Sequence, residues 1–148
     1  MKKRDIILSI VVIIVISSVF FLLKPADKVI KNNSLQTIPS KDDLIVVESL
    51  VSNSEISSPL TIVGKARGTW FFEASFPIVI TDWDGLIIAE GYATANGDWM
   101  TKDYVPFSAT IEFTRPSYET RGFLILKKDN PSGLPENDNA LEIPVIFK

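Results

Sequence analysis

The hydrophobic positions of this chain follow two different patterns, and the first is a long apolar run without a charged residue. It begins at Ile6 and ends at Leu23. At about 1.5 Å rise per helical residue, roughly 18 residues span about 27 Å, close to the ~30 Å hydrocarbon thickness of a bilayer. The run has no polar face, so it is not typical of a helix packed on a soluble core. It predicts one membrane-spanning helix over residues 6–23.

The charges beside this run predict its orientation. Lys2, Lys3 and Arg4 precede it, whereas Lys24 is the one basic residue that closely follows it. Basic residues stay preferentially on the cytoplasmic side of a membrane helix. We therefore expect residues 1–5 to form a cytoplasmic stub, with the C-terminal part of a single-pass protein outside the cytoplasmic membrane. A cleaved signal peptide is the open alternative, although bulky residues and a proline stand where the peptidase needs small ones.

Residues 24–43 lead from this run to the rest of the chain. They are rich in Lys, Asn, Ser and Asp and have no sustained apolar periodicity. Such a composition is typical of a flexible tether. We expect it to hold the following domain at a distance from the membrane.

The second pattern occupies residues 44–148, where short β-rich runs alternate with turn signals. In the run 104–113, Val105, Phe107 and every second residue after them are apolar, and most of the residues between are polar. This alternation predicts a strand with one buried face. The run 123–126 is apolar on both faces, which is typical of a central strand. Seven strands are predicted, over residues 44–47, 60–66, 70–82, 86–95, 104–113, 123–126 and 141–147.

Seven short strands without a long helix predict an all-β fold for residues 44–148. The arrangement favoured is an immunoglobulin-like antiparallel β-sandwich. Pro77, inside the third run, predicts a bulge, a break or an edge. Pro77 and Pro144 together suggest that some strand edges are blocked. Since the chain contains no cysteine, the core must depend on apolar packing alone.

Composition excludes several kinds of chemistry. The chain has neither cysteine nor histidine. This removes disulfides, thiol catalysis, zinc sites built on Cys or His, and the most common general base. Residues 44–148 carry eight basic and fourteen acidic side chains, a net charge of about −6, which is unsuited to nucleic acid. We expect no cofactor, no metal and no catalytic residues.

The body resembles the immunoglobulin-like domain of bacterial spore germination proteins, which accompanies the GerMN domain. The resemblance covers roughly residues 44–148, and no counterpart of GerMN is found beside it. It implies a sandwich outside the cytoplasmic membrane with a role in germination or in the envelope. It is carried by the order and spacing of these segments: Ser58-Pro59-Leu60, Val63-Gly64-Lys65-Ala66, Trp70-Phe71-Phe72-Glu73-Ala74-Ser75-Phe76, Asp82-Trp83-Asp84-Gly85, Trp99-Met100, Pro106-Phe107, Lys128-Asp129-Asn130-Pro131-Ser132-Gly133 and Pro135-Glu136-Asn137.

Loops and exposed aromatics are the candidate binding surface. The longest polar segment, 129–139, is restricted by two prolines, and a stiff loop loses less entropy when it binds. Its alternative role is a connection ordered by Asx and Ser hydrogen bonds. Aromatics near turns can stack on sugars or on a protein partner, or be partly buried under loops. The candidate residues are Trp83, Trp99, Asp129, Asn130, Ser132, Glu136, Asn137 and Asp138.

Two further features are interpreted structurally. The turn Asp82-Trp83-Asp84-Gly85 offers two carboxylates to calcium, but a hairpin turn explains the same residues through backbone geometry. The aromatic residues Trp70, Phe71, Phe72 and Phe76 are expected in the core, and Glu73 on the exposed face of the same strand.

These observations predict a non-catalytic, membrane-anchored binding or interaction module of the bacterial envelope. Its partner is expected to be another envelope protein or a cell-wall polymer, recognised by loops at one end of the sandwich. The first alternative is a structural subunit that self-associates through strand edges. A hydrolase built on two carboxylates is the remote alternative.

Overall fold

The computed structural model describes residues 40, 41 and 43–148. The predicted cytoplasmic stub, the predicted membrane helix and residues 24–39 of the predicted tether lie outside the described residues. Within them, no helix has the length and hydrophobicity needed to cross a membrane. Their helical content is two short 3-10 helices, Gly68–Trp70 and Pro135–Asn137.

Nine strands make up the described part of the chain, which confirms the all-β prediction but not the count of seven. Two short strands were not predicted, because two or three residues are too few to display a period. One of them, β1, lies in the segment that composition assigned to the tether. The strands are β1 Ser40–Lys41, β2 Ile45–Val47, β3 Ser54–Ile56, β4 Leu60–Arg67, β5 Ser75–Asp82, β6 Ile87–Ala95, β7 Tyr104–Ile111, β8 Arg121–Lys127 and β9 Ala140–Phe147.

The strands form two layers that are joined along one side. The order of the hydrogen-bonded strands is β1-β2-β4-β7-β6-β5-β8-β9-β3. We call β1, β2, β4 and β7 the smaller layer, and β3, β5, β6, β8 and β9 the larger layer. Between β6 and β7 the pairing is limited to Thr94 with Ser108 and Ala95 with Phe107. The two sheets of the predicted sandwich are therefore continuous at this side. All pairs are antiparallel except β3 with β9, which is parallel.

The core lies between the layers and contains every second residue of the long strands. Phe76 of the larger layer meets Phe107 of the smaller layer edge-to-face, with ring centroids 5.0 Å apart. The predicted inward residues of β7 and β9 are buried: Val105, Phe107, Ala109, Ile111, Leu141, Ile143, Val145 and Phe147. Burying one such large side chain contributes about 1.5–3 kcal/mol, so apolar packing stabilises a body that has no disulfide.

The third predicted strand is shorter than expected. Residues 70–74 belong to a 3-10 helix and a tight turn, and β5 begins at Ser75. Pro77 pairs with Tyr92 of β6, whereas pairing with β8 begins only at Ile78, so the proline lies where one side of β5 is unpaired, which fits the edge alternative. The strand does not break at Pro77, and its register shift lies between Ile80 and Thr81.

Neither β5, which contains Pro77, nor β9, which contains Pro144, is an outermost strand of the described sheet. Pro144 lies in β9, which is paired on both sides by β8 and β3. The outermost strands of the described sheet are β1 and β3, with two and three residues. Short edge strands offer few free backbone groups for pairing with another chain.

Two glycines test how closely the strands and their side chains pack. A Cβ at Gly122 would collide with the Thr81 carbonyl oxygen and lie 2.7 Å from the Phe147 ring, whereas at Gly91 the nearest atom is Ile111 Cδ1 at 3.6 Å. We predict that Gly122→Ala lowers the free energy of unfolding by about 1–3 kcal/mol, because the core is overpacked. Gly91→Ala should leave it unchanged or raise it by up to about 1 kcal/mol. Urea unfolding followed by tryptophan fluorescence measures both; equal midpoints for the two variants would contradict the packing described.

Candidate functional site

Three loops meet at one end of the body. They connect β4 to β5 (68–74), β6 to β7 (96–103) and β8 to β9 (128–139). The first loop is bonded to both of the others: the Gly68 N–H donates to the Asp103 carbonyl at 3.1 Å, and the Asp129 N–H to the Trp70 carbonyl at 3.0 Å. We call this region the three-loop end. The backbone bonds fix the three loops relative to one another.

A charged cluster ties the bases of the first two loops together. Arg67 precedes the first loop and Tyr104 follows the second, and the guanidinium lies 4.0 Å from the centre of the Tyr104 ring. Both bind the Asp43 carboxylate, Tyr104 through a hydroxyl hydrogen bond of 2.7 Å and Arg67 through a salt bridge. The Tyr104 hydroxyl and then Arg67 lower the pKa of Asp43, and the same carboxylate raises the pKa of Tyr104. The ionised cluster therefore holds the first two loops in register.

Two grooves open at the three-loop end. One has a volume of about 400 Å³ and runs between the first and second loops, with Trp99 and Met100 in its wall. The other has a volume of about 300 Å³ and runs between the first and third loops, with Phe72 in its wall. Thr69 and Phe71 line both grooves. The first loop is thus the common wall of a surface that extends over all three loops.

The aromatic residues of the first loop do not all enter the core. Trp70, Phe71 and Phe76 are buried, as predicted. Phe72 is 40 % exposed, so its assignment to the core was wrong. The chain reverses direction directly after this residue, which places its ring on the groove side.

The reversal is a two-residue turn with unfavourable backbone conformations. Phe72 and Ser75 exchange backbone hydrogen bonds of 3.0 Å in both directions. The residues between them, Glu73 and Ala74, have φ angles of 48° and 62°. Such hairpin turns favour Asn-Gly, and a left-handed conformation costs other residues roughly 1–2 kcal/mol each. This strained turn directly follows Phe72 in the wall of the second groove. Strained backbone conformations are often found at functional sites.

The third loop is ordered by its own side chains. Asn130 Nδ2 donates to the Leu134 carbonyl at 2.9 Å and to Asp138 Oδ1 at 2.7 Å. Asn137 Nδ2 donates to Ser132 Oγ at 3.0 Å, and Lys128 Nζ to the Asn137 carbonyl at 3.1 Å. The structural interpretation of these Asn and Ser residues is therefore correct. The same bonds make the loop a pre-organised wall, which reduces the entropy lost on binding.

The structure brings most of the predicted binding residues together. Trp99 lines the first groove; the second is lined by Asp129, Asn130, Ser132 and Asn137. Glu136 and Asp138 are exposed in the same loop. Residues that the sequence did not indicate complete the surface: Thr69, Phe72, Met100, Thr101, Lys102 and Lys128.

Trp83 does not belong to this surface. It follows β5 at the end of the body opposite to the three-loop end, and its ring stacks on Phe123 at 5.0 Å. The turn beside it is held by the buried Asp82: Oδ1 accepts the N–H groups of Asp84 and Leu86, and Oδ2 accepts the Tyr118 hydroxyl. The bond to Asp82 raises the pKa of Tyr118. One oxygen of Asp82 holds the turn and the other holds Tyr118, so the interpretation of this segment as a hairpin turn is supported.

The fold and its loop cluster define an all-β domain of the immunoglobulin type. The chain matches the family model of the immunoglobulin-like domain of bacterial spore germination over residues 44–133, and it therefore belongs to that family. The match includes the first two loops and the beginning of the third. No curated protein and no solved structure matches the chain.

The strained turn gives a direct test of the first loop. We predict that Glu73→Asn combined with Ala74→Gly raises the free energy of unfolding by about 1–2 kcal/mol, because both new residues accept positive φ. Gly85 is the matched control, since its φ is 89° in the turn after β5; Gly85→Ala should lower the free energy of unfolding by about 1 kcal/mol. Urea titration measures both. A double variant that is no more stable than the original chain would contradict the strain.

Proposed function

We propose that this protein is a non-catalytic binding module on the outer side of the cytoplasmic membrane, held there by residues 6–23. The three-loop end binds an envelope partner. The observation that carries the proposal is the pair of grooves that share Thr69 and Phe71. A continuous surface on three loops, of which the first is bonded to both of the others, is suited to holding a ligand.

The exposed side chains at this end support binding. Met100 in the wall of the first groove is 78 % exposed, Phe72 in the wall of the second 40 %, and Leu134 in the third loop 50 %. Large apolar side chains on pre-organised loops supply contact area with little loss of entropy. Immunoglobulin domains often carry recognition on the loops at one end; this argument is an analogy from the fold.

The charges of the three-loop end favour one of the two expected partner classes. Six carboxylates lie on these loops, against lysines at positions 102 and 128: Glu73, Asp98, Asp103, Asp129, Glu136 and Asp138. Such a surface repels anionic polymers and attracts cationic groups. A protein segment with basic and apolar side chains is therefore a better partner than an anionic cell-wall polymer. The family description makes a germination protein the first partner to test.

The other two functions have less support. Self-association through strand edges would use β1 and β3, which are short. A hydrolase would need two carboxylates with separated pKa values in one cleft, and nothing in the described residues favours it. Membership of an immunoglobulin-like family supports a non-catalytic role.

The binding role is tested with substitutions in the full-length chain. We predict that Phe72→Ala reduces capture of the partner from solubilised envelopes by about tenfold or more, as truncation of an aromatic hot spot does. Val63→Ala is the matched control, because Val63 is 41 % exposed on the outer surface of the smaller layer. Sedimentation with purified peptidoglycan tests the polymer. Equal binding by both variants to every partner would contradict a role for the three-loop end.

The orientation is tested by cysteine labelling, which is clean because the chain has no native cysteine. We predict that a membrane-impermeant maleimide labels Ser132→Cys in intact cells, and labels Lys3→Cys only after the cells are permeabilised. The reverse pattern, or equal protection of both positions, would contradict the proposed location.

A further inference from the structure

Two side chains at the N-terminal edge of the body contact the base of every loop at the three-loop end. One residue adjoins each loop: Arg67 ends β4 before the first loop, Tyr104 begins β7 after the second, and Ala140 begins β9 after the third. Lys41 and Asp43 between them bond to all three of these residues. We call Lys41 and Asp43 the N-terminal clasp.

Lys41 reaches from one layer to the other. It belongs to β1, which pairs with β2 in the smaller layer, whereas Ala140 begins β9 in the larger layer. The Lys41 ammonium donates to the Ala140 carbonyl at 2.9 Å, although the two residues are 99 positions apart in the chain. This bond ties the edge of the smaller layer to the base of the third loop.

Asp43 holds the bases of the other two loops. Its carboxylate accepts the Tyr104 hydroxyl at 2.7 Å and pairs with the Arg67 guanidinium. Arg67 Nε also donates to the Asp43 carbonyl at 3.1 Å. The neighbouring backbone is bonded as well: the Leu44 N–H donates to the Lys41 carbonyl and the Arg67 N–H to the Leu44 carbonyl, both at 2.7 Å. Backbone and side chains therefore fix the clasp to the end of β4.

The backbone of Asp43 indicates that these contacts determine its position. Its φ angle is 57°, in the left-handed region that residues other than glycine seldom adopt. Such a conformation persists where the surrounding contacts over-determine it. The contacts that hold Asp43 here are those with Arg67 and Tyr104.

The clasp is suited to ordering loops and contributes little to the stability of the core. The side chain of Asp43 is 77 % exposed, and exposed ion pairs stabilise a fold only slightly. Loops open locally, at a smaller cost than the whole fold, and that cost depends on the few bonds that hold them. Loss of the clasp should therefore be seen first at the loops.

The clasp stands between the binding surface and the segment that leads toward the proposed anchor. The family match begins at Leu44, so Lys41 and Asp43 lie outside it. Both follow closely on residues 24–39, which belong to the proposed tether. The same short stretch therefore attaches the body and bonds to all three loops.

We propose that Lys41 and Asp43 are positioning residues for the three-loop end, which order its loops and thereby raise its affinity for a partner. Lys41 holds the third loop, and Asp43 holds the first and second, so both grooves are kept in shape before a partner binds. The effect on affinity rests on the proposed binding function, whereas the effect on loop order does not.

Hydrogen–deuterium exchange of the full-length chain in detergent micelles tests the positioning role without a partner. Lys41→Met with Asp43→Asn removes both charges and changes the side-chain volumes little. We expect exchange in peptides covering residues 68–74 and 128–139 to become about fivefold or more faster, because the bonds between these loops open more often. Peptides covering β5 and β8 should change by less than about twofold.

The matched control is an exposed ion pair at the opposite end of the body. Lys148 Nζ lies 3.6 Å from Glu55 Oε2, and Lys148→Met with Glu55→Gln should leave exchange in both loops unchanged. Lys41→Arg keeps a cationic donor and should stay within about twofold of the original chain. A merely structural role would accelerate exchange in the strands together with the loops and lower the midpoint of urea unfolding.

Capture of the partner from solubilised envelopes supplies the second readout. The clasp double variant should reduce capture about threefold or more, and the control double variant should not change it. Unchanged loop exchange, equal acceleration of loops and strands, or full capture by the clasp variant where Phe72→Ala loses the partner would each overturn the proposal. If the original chain captures no partner but its loops still depend on the clasp, the binding function fails and the positioning of the loops stands.

Discussion

Burial of two apolar sheet faces against each other is the constraint on which this body depends. The chain has no cysteine to cross-link the layers, so the layers are held by packing and by the short β6–β7 pairing. The edge-to-face contact of Phe76 with Phe107 lies in this core. Within each layer, Gly64 and Gly122 leave room for the rings of Phe107 and Phe147 on the neighbouring strands. The loops and the outer strand faces are carried by strands whose inward residues form this core.

Two kinds of surface lie outside the core. At the three-loop end, backbone bonds and the Asp43 cluster hold loops of quite different sequence as one surface. On the larger layer, the strands themselves present apolar residues that the core does not use. The first surface is built from turns and is partly strained; the second is built from strand residues.

The alternation of β7 and β9 was sufficient to predict their inner and outer faces, because period two survives in any antiparallel sandwich. The turn at Glu73 and Ala74 escaped prediction because neither residue is typical of positive φ; the strand was therefore extended to Trp70, and Phe72 was placed in the core. The polar composition of residues 129–139 was sufficient to predict the third loop, which in the structure begins at Lys128. Strand pairing places Trp99 at the same end as this loop and Trp83 at the opposite end. The local sequence does not reveal that pairing.

Residues 45–56 connect the two layers, because β2 pairs with β4 of the smaller layer and β3 pairs with β9 of the larger layer. This single stretch fastens both sheets on the side away from the β6–β7 junction. Tension arriving through the N-terminal side of the body would therefore load β1, β2 and β3, which have two or three residues each, before it reached the long strands. Under load, β2 and β3 are expected to separate from β4 and β9 first, while the aromatic core between the long strands stays closed.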